Sequence, residues 1–401
     1  MAKSITVALA GISGYGEQYL AELLKENPDG RYCFSAAVDP FPDKSKFLNE
    51  LGEKKIPIYS CLDEMYKSFR PDLLILSTPI HLHAAQSLLG LSMGSNVLCE
   101  KPAAGSLADA LSMKEAEFKA KGLFLAIGYQ WAFSDSIHAL KADILSGRLG
   151  KPLRFKTLLS WPRNRAYYRR NSWAGALRTP NGALVNDSPV NNATAHYLFN
   201  SLYLLGRDIS SSAMPEMLQA ELYRAIQIEN YDTAALRCLA DGVEILFYTT
   251  HASNMLVGPI FHYQFENADV SYDRECNQFI ARFKDASIKA YGSPENGCRA
   301  KIETCVQSIL DGVSVPCPIG AAIAQTVCVE AAQKSMPTVK DIAGEHVEIS
   351  GEGDASQTAI KGIVDTFMRC FAMNALPSEA GSVPWSQNGV PVRIADFAPT
   401  L

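Results

Sequence analysis

The sequence predicts an α/β chain in two units, a doubly wound parallel sheet followed by a unit built on an antiparallel meander. Three observations carry this. Short apolar strands alternate with helical patterns over the first 128 residues and end in polar or proline-marked positions, as in Leu73-Leu74-Ile75-Leu76-Ser77-Thr78-Pro79. A glycine loop, Gly11-Ile12-Ser13-Gly14-Tyr15-Gly16, joins the first strand to a helix. From residue 218 to 294 the chain alternates apolar and polar positions in runs separated by turns such as Asp241-Gly242. At 401 residues there is enough chain for two cores, and we place the boundary between 1–128 and 129–401.

Residues 4–10 form the first strand, and Tyr19, Leu20, Leu23 and Leu24 mark one face of the helix after the glycines. Strand, bare loop and helix N-terminus together suit a pyrophosphate, because backbone N–H groups point at it and no side chain keeps it away. A tight strand-to-helix turn with no ligand is the plain alternative. The second strand, Phe34-Ser35-Ala36-Ala37-Val38, ends in Asp39, 23 residues past Gly16. An acid there accepts from the adenosine ribose hydroxyls and repels a 2′-phosphate, which favours NAD over NADP. Lys44 and Lys46 soften that preference. A later helix over residues 82–93 leads to Asn96-Val97-Leu98-Cys99-Glu100-Lys101-Pro102. There Glu100 and Lys101 stand at the C-terminal end of a buried strand, the edge at which open parallel sheets bind ligands. A further strand over 123–128 closes the unit.

Composition narrows the function. Net charge is −5 and the isoelectric point about 5.9, which argues against bulk nucleic-acid or anionic-membrane binding. No apolar run approaches the roughly 20 residues of a membrane helix, and the N-terminus reads as fold rather than as a signal peptide. Ten scattered cysteines without a C-x-x-C pair suit reduced thiols of a cytoplasmic protein, with no metal site.

Taken in order, Gly11-x-x-Gly14-x-Gly16, Ser77-Thr78-Pro79 with His83 four residues on, and Cys99-Glu100-Lys101-Pro102 resemble the glucose–fructose oxidoreductase / inositol dehydrogenase / rhizopine-catabolism (Gfo/Idh/MocA) family. The resemblance covers residues 4 to about 335. It implies a Rossmann domain followed by an α+β domain with an open, mostly antiparallel sheet, a nicotinamide cofactor, and a sugar, glycoside or cyclitol substrate. It places the cofactor on Gly11, Ser13, Gly14, Tyr15, Gly16 and Asp39, on Ser77, Thr78, Pro79 and His83, and on Glu100, Lys101 and Gln130. His83 could equally be a helix-start residue bonding a nearby carbonyl. Lys101 becomes catalytic or substrate-orienting, and a cis Lys101-Pro102 bond is expected. Where the family often carries asparagine and arginines after the glycine that ends the strand over 123–128, this chain has Gln130, Trp131 and Ala132.

In the second unit a helix is expected over 134–146. Residues 151–186 then hold eight lysines or arginines and no acid, interleaved with Trp161, Tyr167, Tyr168 and Trp173. Aromatic faces stack on sugar C–H surfaces and arginines donate to hydroxyls or carboxylates, so Trp161, Arg163, Tyr168 and Arg170 are candidate substrate contacts. A solvated basic loop is the alternative. Ser188-Pro189 opens a helix predicted to run on through Asn192, His196 and Asn200 to Leu204-Leu205-Gly206. Aligned from that end, His196 takes the family's catalytic histidine and Asn192 the place of its acid, with about six residues inserted. Asp187 stands just before the helix as a further substrate contact. Helices are expected near 319–334 and 356–372, and the tail 373–401 as a brace between the two units.

These residues imply an NAD-dependent dehydrogenase of a secondary hydroxyl, associating with copies of itself through the open sheet. Two alternatives stand beside it. One is a glycoside-cleaving enzyme that uses bound NAD transiently. The other is a sugar or nucleotide sensor without activity, suggested by Asn192 at an acid's place.

Overall fold

The computed structural model describes residues 4–398 apart from 26, 28 and 274. The chain folds as two compact units, Met1–Ser134 with Glu295–Ile323, and Asp135–Pro294 with Ala324–Leu401. The first unit thus runs a few residues past the expected boundary at 128 and includes a later segment, Glu295–Ile323, expected in the second.

In the first unit β1 (Ile5–Ala10), β2 (Tyr32–Val38), β3 (Ile58–Tyr59), β4 (Leu73–Leu76), β5 (Asn96–Cys99) and β6 (Leu125–Ile127) form one parallel sheet in the order β3-β2-β1-β4-β5-β6. The reversal of direction lies between β1 and β4, where a crevice opens at the strands' C-terminal ends. Every residue of β4, β5 and β6 is buried, as expected of strands covered on both faces. The returning segment docks on the sheet edge: Ile127 N–H donates to the Cys317 carbonyl at 2.8 Å, and Ala126 bridges to Pro318.

The second unit carries a sheet of β7 (Pro152–Ser160), β8 (Pro215–Arg224), β9 (Thr233–Ala240), β10 (Val243–Thr250), β11 (Val257–Phe265), β12 (Ala268–Asp273), β13 (Gln278–Phe283), β14 (Ile288–Ala290) and the short β15 (Lys340–Asp341). Its order is β14-β13-β12-β11-β7-β10-β9-β8-β15, with the late β18 (Val392–Arg393) on the edge of β8. Most neighbours are antiparallel, but β7 runs parallel to β10 and β15 parallel to β8. A separate hairpin joins β16 (Val347–Ser350) to β17 (Gln357–Ile360). The expected helix over 356–372 therefore begins only at Ile363, after Gly362 in the left-handed region (φ 68°). Pairing with β16 claims Gln357–Ile360 instead.

The helix Ile363–Met373 and the segment after it lie on the second unit's own sheet. Phe367, Leu376, Val383 and Trp385 share one apolar cluster with Leu158 of β7, Ala235 of β9 and Leu246 and Tyr248 of β10. The tail thus packs on its own unit's sheet, and residues 399–401 of it lie outside the described residues. Among the described residues no helix is long and apolar enough to cross a membrane, and no group of histidine, cysteine or carboxylate side chains could hold a metal ion. Cys33, Cys61, Cys99, Cys238, Cys298, Cys305, Cys328 and Cys370 are free thiols.

Candidate functional site

The glycine loop sits at the switch point between β1 and β4. Gly11 takes φ +82°, and a Cβ there would meet the Ser77 carbonyl oxygen at 2.4 Å, so no other residue fits. Gly14 (φ +59°) faces open space. Asp39, 8% exposed, holds the loop from the end of β2: its Oδ2 accepts from Ile12 N–H at 3.0 Å and its Oδ1 from Phe41 N–H at 2.8 Å. Each carboxylate oxygen keeps a second acceptor direction, as ribose hydroxyls require. A bare loop, a helix N-terminus and an acid fixed beside both fit a dinucleotide, which Gly11, Gly14, Gly16 and Asp39 would hold.

At the end of β4, Thr78 donates its hydroxyl to Gln86 at 2.5 Å, while Pro79 is exposed. His83 is 1% exposed, with Nδ1 2.9 Å from the Pro102 carbonyl and Nε2 2.9 Å from the Thr78 carbonyl. Burial pushes its pKa below the usual imidazole value, although both carbonyls favour the proton. The ring thus ties the turn after β4 to the turn after β5, the carbonyl-bonding role that the sequence left open beside cofactor contact.

The Lys101-Pro102 bond is cis, as expected. Beside it, Glu100 is buried and does not project into solvent. Its Oε1 pairs with Lys301 Nζ and accepts from the Tyr19 hydroxyl at 2.6 Å, and its Oε2 accepts from Lys101 N–H at 3.1 Å. A Cβ on Gly128 would lie 2.7 Å from Glu100 Oε1, so the glycine that ends the sixth strand makes room for this carboxylate. Lys301 Nζ also lies 4.8 Å from the Tyr19 ring centre and 5.2 Å from that of Tyr15. Lys301 stands on the helix Gly297–Asp311, two hundred residues from Glu100 in sequence, and no local signal marks it. Gln130 donates to Glu295 Oε2 at 2.9 Å and Trp131 to its Oε1 at 3.0 Å, a second partner from the same returning segment.

In the second unit the helix predicted from Ser188 is interrupted. Pro189–Ala193 is a single π turn, closed by Thr194 N–H donating to the Pro189 carbonyl at 2.9 Å. An α-helix, Ala195–Leu204, begins only after Thr194 (φ −110°, ψ 9°). Asn192 and His196 therefore belong to different helical segments and not to one continuous face. Such π turns absorb inserted residues and gather at functional sites. Asp187 is 3% exposed; its Oδ1 accepts from Asn192 Nδ2 at 2.7 Å and its Oδ2 from Gly175 N–H at 2.6 Å. Asn230 donates to both the Asn186 side chain and the Asp187 carbonyl at 3.0 Å, and Gln333 donates to Asn230 at 2.9 Å. A buried amide network thus fixes the chain just ahead of the π turn.

The basic aromatic stretch divides. Trp161 meets Tyr197, the neighbour of His196, edge-on at 5.6 Å. Tyr168 turns to His251, with 2.9 Å between its hydroxyl and Nδ1. Arg163 lies 4.8 Å from the Tyr167 ring and 5.8 Å from the Trp161 ring. Arg170 is exposed and stacks on Tyr167 at 3.6 Å. Burial first, and then the charges of Arg163 and Arg170, hold the His251 imidazole well below its ordinary value.

The first unit is therefore a dinucleotide-binding α/β domain with a lysine at the ligand edge of its sheet. Residues 5–129 match the model of the Gfo/Idh/MocA oxidoreductase family with its NAD-binding Rossmann fold. An uncharacterized oxidoreductase of Streptococcus pneumoniae is 33% identical over 141 residues, 35% of this chain and 36% of its own length. Inositol 2-dehydrogenase of Rubrobacter xylanophilus is 26% identical over 161 residues, 40% of this chain and 44% of its own length. The chain spans about half or less of the length of the curated relatives it matches. Solved structures share the two-unit fold. Levoglucosan dehydrogenase with NADH superimposes at a TM-score of 0.68 and 15% identity, over 83% of this chain and 96% of the other. The WlbA dehydrogenase of Chromobacterium violaceum, with NADH and UDP-GlcNAcA, gives 0.68 and 19%, over 83% and 95%.

Proposed function

We propose that the protein is an NAD-dependent dehydrogenase of a secondary hydroxyl on a sugar, glycoside or cyclitol. The observation that carries this reading is Lys101 at the ligand edge of an NAD-type sheet, on a turn fixed by the buried Glu100–Lys301 pair. Bound NAD would supply the hydride acceptor. Lys101 would donate a hydrogen bond to the substrate oxygen and disperse charge that develops there. His196 would take the hydroxyl proton as general base, with Asp187 and Asn192 orienting the chain around it. Trp161, packed beside the neighbour of His196, would offer a face for sugar C–H groups.

The names of the relatives, among them inositol 2-dehydrogenase and levoglucosan dehydrogenase, support a polyol or sugar substrate. The sensor reading rested on an amide in place of an acid; Asp187, 2.7 Å from Asn192, restores a carboxylate to that neighbourhood. A screen of inositols, sugars and anhydrosugars for NADH absorbance tests the proposal. A general base contributes about 10²–10⁴-fold, so His196→Ala should lower kcat by that order with NAD affinity unchanged, and Lys101→Ala should lower it too. Failure of every polyol to reduce NAD, or a His196→Ala protein with full turnover, would overturn it.

A further inference from the structure

The second unit contains a pocket of about 540 Å³ that none of Asp187, Asn192 and His196 lines. Arg163, Arg165 and Arg169 are among its lining residues, and no carboxylate is. Arg169 pairs with Asp354 at 2.8 Å, but both side chains are more than half exposed, so water screens the pair and a competing anion could displace it. Arg165 has no ion-pair partner among the described residues, and its backbone N–H is tied to the Ser356 carbonyl at 2.9 Å. Arg163 is held between the Trp161 and Tyr167 rings, with its Nε buried and given no acceptor by the protein.

The rest of the lining neutralises none of this charge. Tyr168 closes one end against His251 and stays protonated, because burial raises its pKa well above the phenol value. Ser356 and Thr358 add hydroxyls. Ile226, Ile228 and Ile349 form an aliphatic wall, and Ile349 is 71% exposed. Guanidinium groups and aliphatic side chains in one pocket match a molecule with a charged oxyanion head and an apolar body.

We propose that this pocket binds a small organic anion, a carboxylate or phosphate ester, with its oxygens on the arginines and its carbon chain on the isoleucines. Arg163 and Tyr168, which the sequence offers as substrate contacts, line this pocket, but none of Asp187, Asn192 and His196 does, and the proposal does not rest on the reaction.

Calorimetric titration of the full chain with hexanoate and hexyl phosphate tests the site, with 1-hexanol and inorganic phosphate as controls. At least one amphiphilic anion should bind with a dissociation constant of about 1 mM or tighter, and the preferred head separates carboxylate from phosphate. A hydrogen bond to a charged group contributes enough that Arg165→Ala should weaken binding about tenfold or more. Arg165→Lys should recover part of the loss, and because Arg165 is exposed both variants should melt as the wild type does. The proposal fails if neither anion binds, if hexanol binds as well as they do, if inorganic phosphate binds as tightly as its hexyl ester, or if Arg165→Ala leaves affinity unchanged.

Discussion

Lys301 and Glu100 form an ion pair with 0% and 7% of their side chains exposed, joining the helix Gly297–Asp311 to the end of β5. Desolvating two charges is costly, and only close pairing with further hydrogen bonds offsets it. Glu100 has those bonds, from Tyr19 and from the Lys101 N–H. The pair therefore fixes the backbone from which Lys101 projects.

Removing one partner leaves a buried charge unmatched. Lys301→Ala should cost about 3–5 kcal/mol in the first unit, measured by urea unfolding followed with a probe in that unit. Adding Glu100→Gln to it should restore part of the loss, since an amide is cheaper to bury than an unpaired carboxylate. A single variant as stable as the wild type would remove the pair from its structural role.

Asp39 should set the cofactor preference. Beside the glycine loop its carboxylate repels the 2′-phosphate of NADP, and its two backbone bonds keep it there. Fluorescence titration should show tighter binding of NADH than NADPH, and Asp39→Ser should narrow the gap. A wild type that prefers NADPH tenfold would refute this.

His251 gives a pH signature. Its folded pKa lies well below the ordinary 6.5, so between the two values the unfolded chain binds a proton that the folded chain refuses. Stability from this group is present above pH 6.5 and is lost as pH falls below it, by about 1.4 kcal/mol per pH unit. Buried Asp232 acts in the opposite sense: raised to about 6, it costs stability as pH rises from its ordinary 3.8 through 6. The two are separated by comparing wild type with His251→Asn, whose stability difference should shrink between pH 6.5 and 5. A constant difference would mean that His251 titrates normally.

The cover on the second sheet is tested at Phe367, 1% exposed and 5.6 Å from the Tyr248 ring. Phe367→Ala should cost about 3–5 kcal/mol, read as a lowered unfolding midpoint for the second unit. The same helix and tail cover the sheet over β7, β9 and β10, so association of copies through that region would require them to move aside. Sedimentation of wild type beside Phe367→Ala reports on this: stronger association in the variant is the expected outcome.

The parallel sheet of the first unit is legible in the sequence, although the segment returning from 295 to 323 is not. Strands β4, β5 and β6 are buried throughout and written as short apolar runs, and the polar strand ends follow directly, so local pattern and fold coincide. Gly11 marks the loop because a Cβ there would clash with the Ser77 carbonyl. Tertiary structure alone decided what surrounds Lys101 and His196. Lys301 and Glu295 reach Glu100 and Gln130 across long sequence separations, and nothing in the spacing of either segment announces the pairing. The region before His196 reads as one helix because helical periodicity survives an inserted residue, whereas the π turn at Pro189–Ala193 is visible only in which carbonyl Thr194 bonds. Gln357–Ile360 likewise became a strand because β16 offered it a partner. A strand exists only through its neighbour's hydrogen bonds, and a buried charge only through its counterion, so neither can be read from its own stretch of chain.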